Sequence, residues 1–595
     1  MKFLLVAVNA KYIHSNPAVY SLYAYAKKDY ADVVEIAEYT INQRVEDILA
    51  AIYDIKPDVI GFSCYIWNRN IIEELLYDLP KILPYADIWL GGPEVSYGSA
   101  AILEQFPSVR GIMVGEGEIT FRELLKKYCG NDTDDFTSVE GLCLRSGFTP
   151  ERKMTDLNKL PFLYQNTEPF VNRILYYESS RGCPYRCSYC LSSIDKTVRT
   201  RNIDTVKKEL KFFLDNKVSQ VKFVDRTFNC IHEHAMQIWE YLYENDNGIT
   251  NFHFEISADI INDEELKLLS KFRPGQVQLE IGVQSVNEKT LAAINRHMNP
   301  EKLEYVVSKI KQNHNIHQHL DLIAGLPYED YESFGKSFNR VYAMKPDQLQ
   351  LGFLKVLRGT PISYRTGEFG IEYTKRPPYE VLCTKWISFA EIIRLKKIEE
   401  LVEIYYNSNQ FVNTLNLIVG KFDSPFGMFE KFADFYEENG YYVNSPKRIY
   451  RYEVLLDFLT KYDGINREVY IELLTYDVYL RENMKSRPDF SRSLNDEVYK
   501  KFRREFYRKE EKERYFLPNL TEYDSRQLSG MTHLEPFKYP VWDVDKMNKL
   551  ISDPEPNFID TDESEDRTYY LLFDYSVRNP LTGEALTIKM EGRDL

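Results

Sequence analysis

Two blocks of the chain alternate short apolar runs with longer amphipathic ones, and this alternation restricts the fold more than any other feature. In residues 1–130 the strand candidates are Lys2–Asn9, Val33–Thr40, Val59–Tyr65, Asp87–Gly92 and Gly111–Gly115. Helix-period segments such as Ile71–Leu83 and Phe121–Tyr128 lie between them. From about Ile174 a second series begins, with candidates Ile174–Ser180, Gln220–Phe228, Phe252–Ala258, Gln276–Gln284, Gln318–Gly325 and Gln348–Leu357. Strands separated by helices must pair in parallel beneath covering crossovers, so both blocks predict α/β layers. The first predicts a doubly wound, Rossmann-like sheet whose ligands rest at the carboxyl ends of the strands. The second has too few strands for a closed TIM barrel and predicts a partial (β/α)6 barrel.

After about Pro361 the character changes. Residues 377–515 carry helical periodicity with charged faces such as Lys500-Lys-Phe-Arg-Arg504. Two strands, Thr568–Tyr575 and Ala585–Met590, meet through the turn-forming Asn579-Pro-Leu-Thr-Gly583. The acidic, proline-containing stretch Asp553–Asp566 reads as a solvated loop. A chain of 595 residues exceeds what one core supports. The expected organisation is a domain over 1–135, a linker over 136–170, the barrel over 171–365 and a mostly helical region over 366–595 ending in a β-hairpin.

Composition removes several function classes. A net charge of −15 argues against a general nucleic-acid binder, whose affinity comes from neutralising phosphates with Lys and Arg. No stretch approaches the roughly 20 apolar residues that span a bilayer, so no membrane partner is expected. The opening MKFLLVAVNAKYIHS lacks a small-residue cleavage site and reads as a buried strand rather than a leader. Eight cysteines are too sparse for a disulfide framework, and three of them fall together. That pattern reads as metal binding in a reducing cytoplasm.

The three are Arg181-Gly-Cys183-Pro-Tyr-Arg-Cys187-Ser-Tyr-Cys190, directly after a predicted strand. Thiolates are the ligands of iron–sulfur clusters, and a closed structural site takes four. Three leave one iron open to a substrate or cofactor. Zinc would bring paired ligands, and no second C-x₂-C or H-x₃-H lies nearby; Cys230, past the next strand, is the one candidate for a fourth thiolate.

With an aromatic residue, Tyr189, before its last cysteine, this loop resembles that of the radical S-adenosylmethionine (SAM) enzymes. The resemblance implies a four-iron, four-sulfur cluster on Cys183, Cys187 and Cys190. Its open iron would bind the amino and carboxylate groups of SAM, and its reduction would release a 5′-deoxyadenosyl radical. The later barrel segments resemble the family in the same order. Phe223-Val224-Asp225-Arg226-Thr-Phe228 ends the second strand, where the family holds the methionine amino group, though without the common Gly-Gly-Glu. Glu255 would point into the barrel from the third strand. Leu279-Glu280-Ile-Gly282-Val-Gln284-Ser285 looks like the fourth-strand motif beside the ribose and carboxylate. Asp321-Leu-Ile-Ala-Gly325-Leu-Pro327 resembles the fifth-strand motif beside the adenine, and Lys355-Val-Leu357-Arg-Gly-Thr-Pro361 the exit of the sixth.

A doubly wound domain ahead of such a barrel resembles the cobalamin-binding domain of the class B enzymes, and the carboxyl-terminal region resembles a domain of unknown function found with some of them. His14, Ser63 and Gly91-Gly92 fall where cobalamin domains place their His, Ser and Gly-Gly. The usual Asp-x-His-x-x-Gly is here Tyr12-Ile-His-Ser-Asn-Pro17, lacking the Asp that fixes the tautomer of a metal-bound imidazole. His14 is therefore expected to line the corrin edge or cap the first helix, with Tyr65 and Trp67 covering the lower face. Gly91-Gly92-Pro93-Glu94 and Gly115-Glu116-Gly117 are expected as close-approach turns around the corrin. A dinucleotide site would need G-x-G-x-x-G after the first strand, and Val8-Asn-Ala-Lys-Tyr-Ile-His14 has no glycine. A methylthiotransferase would need a second three-cysteine cluster in this domain.

The resemblance implies methyl transfer from methylcobalamin to an unactivated carbon, after hydrogen abstraction by the adenosyl radical. A protein reductant such as flavodoxin or ferredoxin would feed the cluster. A radical oxidation, cyclisation or ring contraction with cobalamin as electron carrier shares the same motifs, and a cobalamin-binding sensor without catalysis is the alternative from another class. The sequence names no substrate.

Overall fold

The computed structural model describes residues 1–552 and 568–590. Asp553–Asp566 lies outside the described residues. The chain forms two compact units, one of residues 1–334 with 351–392 and one of residues 335–350 with 393–595.

The first unit contains both parallel sheets. The amino-terminal sheet comprises β1 (Phe3–Asn9), β2 (Val34–Thr40), β3 (Val59–Ser63), β4 (Asp87–Gly91), β5 (Val109–Met113), β6 (Leu142–Leu144) and β7 (Gly147–Phe148). They lie in the order β2-β1-β3-β4-β5-β6-β7. The first five are parallel, and the hairpin β6–β7 adds antiparallel to the same sheet. The order reverses between β1 and β3, which opens the ligand crevice at their carboxyl ends. Every residue of β1 is buried because helices cover both faces. Leu4, Val6 and Val8 join one core, and Phe3, Leu5 and Ala7 the other.

The second sheet comprises β8 (Leu175–Tyr177), β9 (Gln220–Phe223), β10 (Asn251–Ile256), β11 (Val277–Gln284), β12 (His317–Ala324) and β13 (Gln348–Phe353), side by side in sequence order. Adjacent strands from β8 to β12 are parallel, the partial barrel expected from the sequence. β9 is shorter than its apolar run. After Phe223 the chain leaves the ladder, with Val224 N still donating to Tyr177 O (2.9 Å). β13 likewise stops at Phe353, before the turn closed by Thr360 N donating to Leu357 O (3.2 Å).

The second unit is mainly helical and aromatic. Helices Pro425–Glu438 and Tyr450–Tyr462 interlock through rings such as Phe432 on Phe458, 4.4 Å between centroids, and Tyr479 of the Arg467–Arg481 helix stacks on His533 at 3.9 Å. Buried Asp477 accepts hydrogen bonds from Thr414 N (3.0 Å) and Thr414 Oγ1 (2.7 Å) at the start of the Val412–Ile418 helix. The expected terminal hairpin is present as β15 (Tyr569–Arg578) and β16 (Ala585–Met590). A preceding strand, β14 (Thr532–Phe537), pairs with β15 and makes three. Its sequence, Thr-His-Leu-Glu-Pro-Phe, carries no strand signal. It is buried because Arg487 (2.7 Å) and His533 (2.9 Å) satisfy Glu535.

Candidate active site

The cysteine loop leaves a short antiparallel pair, Ser180–Arg181 with Arg199–Thr200. Gly182 has φ +97°, and a Cβ there would stand 2.2 Å from Thr197 O, so the turn into Cys183 needs glycine. Cys183 and Cys187 are buried and Cys190 half-buried, and all three thiols are free. The loop is held by its backbone: Cys190 N donates to Cys187 O (3.1 Å), Ser188 N to Ile294 O (2.8 Å) and Ile362 N to Ser188 O (2.9 Å). Arg296 Nη1 lies 3.8 Å from Cys187 Sγ, and Nη2 donates to Gly282 O. One buried guanidinium thus joins the cysteine loop to β11. Burial, then the phenolate-stabilising Arg296 and the opposing Cys187 thiol, act on Tyr189, with burial raising its hydroxyl well above the usual range.

The loop is also fastened to the amino-terminal sheet. Arg181 lies 3.3 Å from Glu116, 2.9 Å from Glu118 and 2.7 Å from Glu178. Arg199 meets Glu116 at 2.6 Å and Asp195 at 3.0 Å. Burial would raise the Glu116 carboxyl, but Arg199 and Arg181 outweigh it and bring it down to about 2.

At the crevice, the Tyr65 and Trp67 rings stack at 4.4 Å and 7°, and Trp67 is 42% exposed. Trp67 Nε1 donates to Val8 O (3.1 Å), and Asn68 Nδ2 donates to Val8 O (3.0 Å) and Ser63 O (2.9 Å), fixing the turn after β3 to the end of β1. His14 sits in a bridge with Ile174, and its Nδ1 is 2.7 Å from Tyr176 Oη. Burial, Lys11 and Lys222 lower its pKa, so the ring is neutral. The barrel tyrosine takes the tautomer-fixing place left by the missing Asp, from 162 residues away in the chain.

Six polar side chains occupy alternating positions on β9 to β12. Lys222 pairs in register with Tyr176 and His253, Glu255 with Glu280, and Glu280 with His319. Lys222 Nζ reaches Glu280 at 2.8 Å. Burial raises the Glu280 carboxyl, but His253 and Lys222 prevail and hold it well below the usual range. Glu255 is pushed up to about 7 by burial and then by Glu280. At the mouth of β11 a bulge lies between Gly282 and Gln284. Gln284 has φ +71°, and a Cβ on Gly282 would stand 2.4 Å from Gln284 Nε2. Such strain next to a bulge is characteristic of ligand-binding rims.

Several residues expected at the cofactors also have protein partners. Asp225 is fully buried and accepts from Ser179 N (2.9 Å), Ser179 Oγ (2.6 Å) and Ser180 Oγ (2.6 Å). Burial pushes its carboxyl up to about 6 against these bonds. Ser285 Oγ donates to Glu329 (2.6 Å), and Glu94 accepts from Tyr379 Oη. Gly92 is required by β3: with φ +111°, its Cβ would stand 2.5 Å from Cys64 O. Gly117 faces Leu22, Gly91 faces Met113, and Gly325 (φ +83°) faces Val381. Gly115 (φ +81°) alone in these clusters has open space at its Cβ position. These turns are tight because protein packs there. Pro327 is buried and Leu357 half-buried at the exits of β12 and β13. Arg296, Tyr176, Lys222, His253 and His319 escaped the sequence reading. The last three had a legible signal, polar residues at every second position of otherwise apolar strands.

Three family models match the chain: the B12 binding domain over residues 4–125, the Radical SAM superfamily over 177–341, and the protein of unknown function DUF4080 over 367–556. Among curated relatives, the cobalamin-dependent radical SAM methyltransferase TokK of Streptomyces tokunonensis is 26% identical over 52% of this chain and 48% of its own length. The 2-(S-pantetheinyl)-carbapenam-3-carboxylate methyltransferase of Streptantibioticus cattleyicolor is 25% identical over 49% and 45%. The chain thus spans about half the length of these relatives. The solved structure of the cobalamin-dependent SAM radical enzyme OxsB with aqua-cobalamin shares the fold, with TM-score 0.56 and 16% identity over 84% of each chain. TsrM of Kitasatospora setae gives 0.53 and 16% over 64% of this chain and 79% of its own. The chain thus combines a B12-binding domain, a radical SAM domain and a DUF4080 domain, in that order.

Proposed function

We propose that the protein is a cobalamin-dependent radical SAM methyltransferase acting on an unactivated carbon. One observation carries the reading: Arg181, two residues ahead of the first cluster cysteine, is ion-paired to Glu116 and Glu118 of the B12-binding domain. The three-thiol loop and the crevice of the amino-terminal sheet therefore share a wall, as a reaction using both cofactors requires. Curated relatives named as methyltransferases support the same reading.

When bound, the cluster supplies the electron that opens SAM to a 5′-deoxyadenosyl radical, and the corrin supplies the methyl group. Cys183, Cys187 and Cys190 would hold three irons, with the Arg296 guanidinium 3.8 Å from the Cys187 sulfur. The backbone at Val224–Arg226 and the strained Gly282–Gln284 bulge would cradle the SAM methionine and ribose, and Glu255 and Glu280 would face them from below. Tyr189, Gly325, Pro327 and Leu357 would enclose the adenine. Tyr65 and Trp67 offer a flat platform to the lower corrin face. His14, neutral and tied to Tyr176, would line its edge with Ser63, Gly91 to Pro93, Gly115 and Gly117. The closed, ion-paired wall keeps water from the radical. The chemistry calls for a one-electron protein reductant such as flavodoxin or ferredoxin, and for a reducing cytoplasm. No helix among the described residues is long and apolar enough to cross a membrane.

The test needs no substrate. Anaerobically reconstituted protein, given SAM and a reductant, should form 5′-deoxyadenosine with or without corrin, and S-adenosylhomocysteine only with corrin. Deoxyadenosine without S-adenosylhomocysteine would replace methyl transfer by the electron-carrier chemistry. Neither product would end the enzymatic reading.

A further inference from the structure

Below the SAM rim, and including its Glu280, the barrel lumen holds a group of side chains whose mutual arrangement the cluster and the corrin crevice do not explain. Glu280 on β11 and His319 on β12 are register partners, and Asp321 follows two residues along the same face of β12. One ligand atom from each lies within 4.8 Å of the other two. His319 is 7% exposed. Its Nε2 stands 3.0 Å from Asp321 Oδ1, yet both atoms are buried and neither meets the geometry of a hydrogen bond. They are close enough to attract as charges, but the ring N–H does not aim at the oxygen. Donor atoms so placed have the spacing of neighbouring ligands on one ion: bonds of about 2.1 Å at a right angle put them about 3.0 Å apart. The edge beside it repeats the pattern, with His253 Nε2 3.0 Å from Glu280 Oε2 and also without a hydrogen bond.

Charge points the same way. Glu255, Glu280 and Asp321 are three neighbouring carboxyl groups, and the cations acting on Glu255 are Lys222 and Arg226. The carboxyl groups outnumber these cations in a largely buried space, an excess that a divalent cation offsets. Lys222 engages Glu280 Oε2, leaving Oε1 for the ion. An imidazole with two carboxylates suits manganese, iron or zinc, whereas calcium and magnesium prefer all-oxygen sites. We propose that Glu280, His319 and Asp321 form a site for a divalent first-row transition-metal ion inside the barrel. Three protein ligands leave coordination positions for water or a substrate oxygen, as in sites that polarise what they bind.

The experiment uses the full chain with its cluster reconstituted, then treated with chelator and desalted. Titration with Mn²⁺, read by the loss of the free-ion paramagnetic resonance signal, should show one tight ion per chain. Echo-modulation spectra of the bound Mn²⁺ should show coupling to an imidazole nitrogen. His319→Gln and Asp321→Asn should each weaken binding at least about tenfold, which is about 1.4 kcal/mol. Cluster absorbance and hydroxocobalamin uptake are measured on the same samples and should not change, so loss of the metal site is separable from failure of the cofactor reading. Absence of a tight Mn²⁺ ion in the unmodified chain overturns the proposal. So does binding without nitrogen coupling, even if the variants do not fold, and so does undiminished binding in folded variants.

Discussion

The two parallel sheets of the first unit arise from the same strand–helix alternation but use their faces in opposite ways. In the amino-terminal sheet, β1 is buried at every position and feeds a core on each side. Its functional groups are confined to the turns beyond the strand ends. In the barrel, β11 alternates fully and partly buried residues, with Val277, Leu279, Ile281 and Val283 toward the helices and Gln278, Glu280, Gly282 and Gln284 on the other face. Buried polar groups cost free energy unless paired or liganded. A sheet that carries a full row of them therefore pays for a site along its whole inner face, whereas the first sheet keeps its ligand at one edge.

The sharpest break of this contrast is at the cysteine loop. Replacing Cys183, Cys187 and Cys190 together by alanine should abolish the uptake of about four irons per chain. Hydroxocobalamin uptake at the other sheet should persist, and equal loss of both would show that the two cofactor regions are not separate. Next comes the wall between them. Arg181→Leu leaves buried Glu118 without its cation, while Glu116 keeps Arg199, and this should cost about 3–5 kcal/mol in denaturant unfolding and reduce iron retention. An unchanged unfolding curve would make the ion pairs incidental.

The lumen can be probed by pH. Glu255 has a folded pKa raised to about 7 from 4.5. Its protonated form is thus favoured in the folded state: that stability is fully present below the unfolded pKa and is lost as pH rises through 7. In the presence of chelator, Glu255→Gln should therefore raise stability relative to the parent at pH 8 by up to about 3 kcal/mol, and by little at pH 5. A gain of equal size at both values would mean that packing, not charge, is responsible. The smallest effect is expected at the corrin platform. Trp67→Ala removes one ring of a stacked pair and should weaken corrin uptake about fivefold, roughly 1 kcal/mol, with iron content unchanged. In the same series, His14→Ala should leave the cobalt(II) resonance without any loss of nitrogen splitting.

Much of the architecture was legible from residue pattern. The two βα series, the helical region and the terminal hairpin follow from apolar periodicity, which is a local property. β14 was not, because its Glu535 and Pro536 are tolerated only through Arg487 and His533, brought from elsewhere. The three cysteines were legible because their spacing within one loop is itself the chemistry. The corrin rim was less so: beside Glu94, Glu116 and Gly92, where a cofactor contact is expected, stand Tyr379, Arg199 and Cys64, which no local pattern announces.

By itself, then, the sequence determined which segments become strands, which loop offers thiolates, and which strand ends carry the rim. These depend on neighbours a few residues apart. Tertiary structure alone decided that Arg296 joins Cys187 to Gly282, that Tyr176 takes the place of a missing Asp beside His14, and that Glu280, His319 and Asp321 converge. Hydrogen bonds and ligand geometry act over about 3 Å, and such distances between remote residues exist only once the strands are in register.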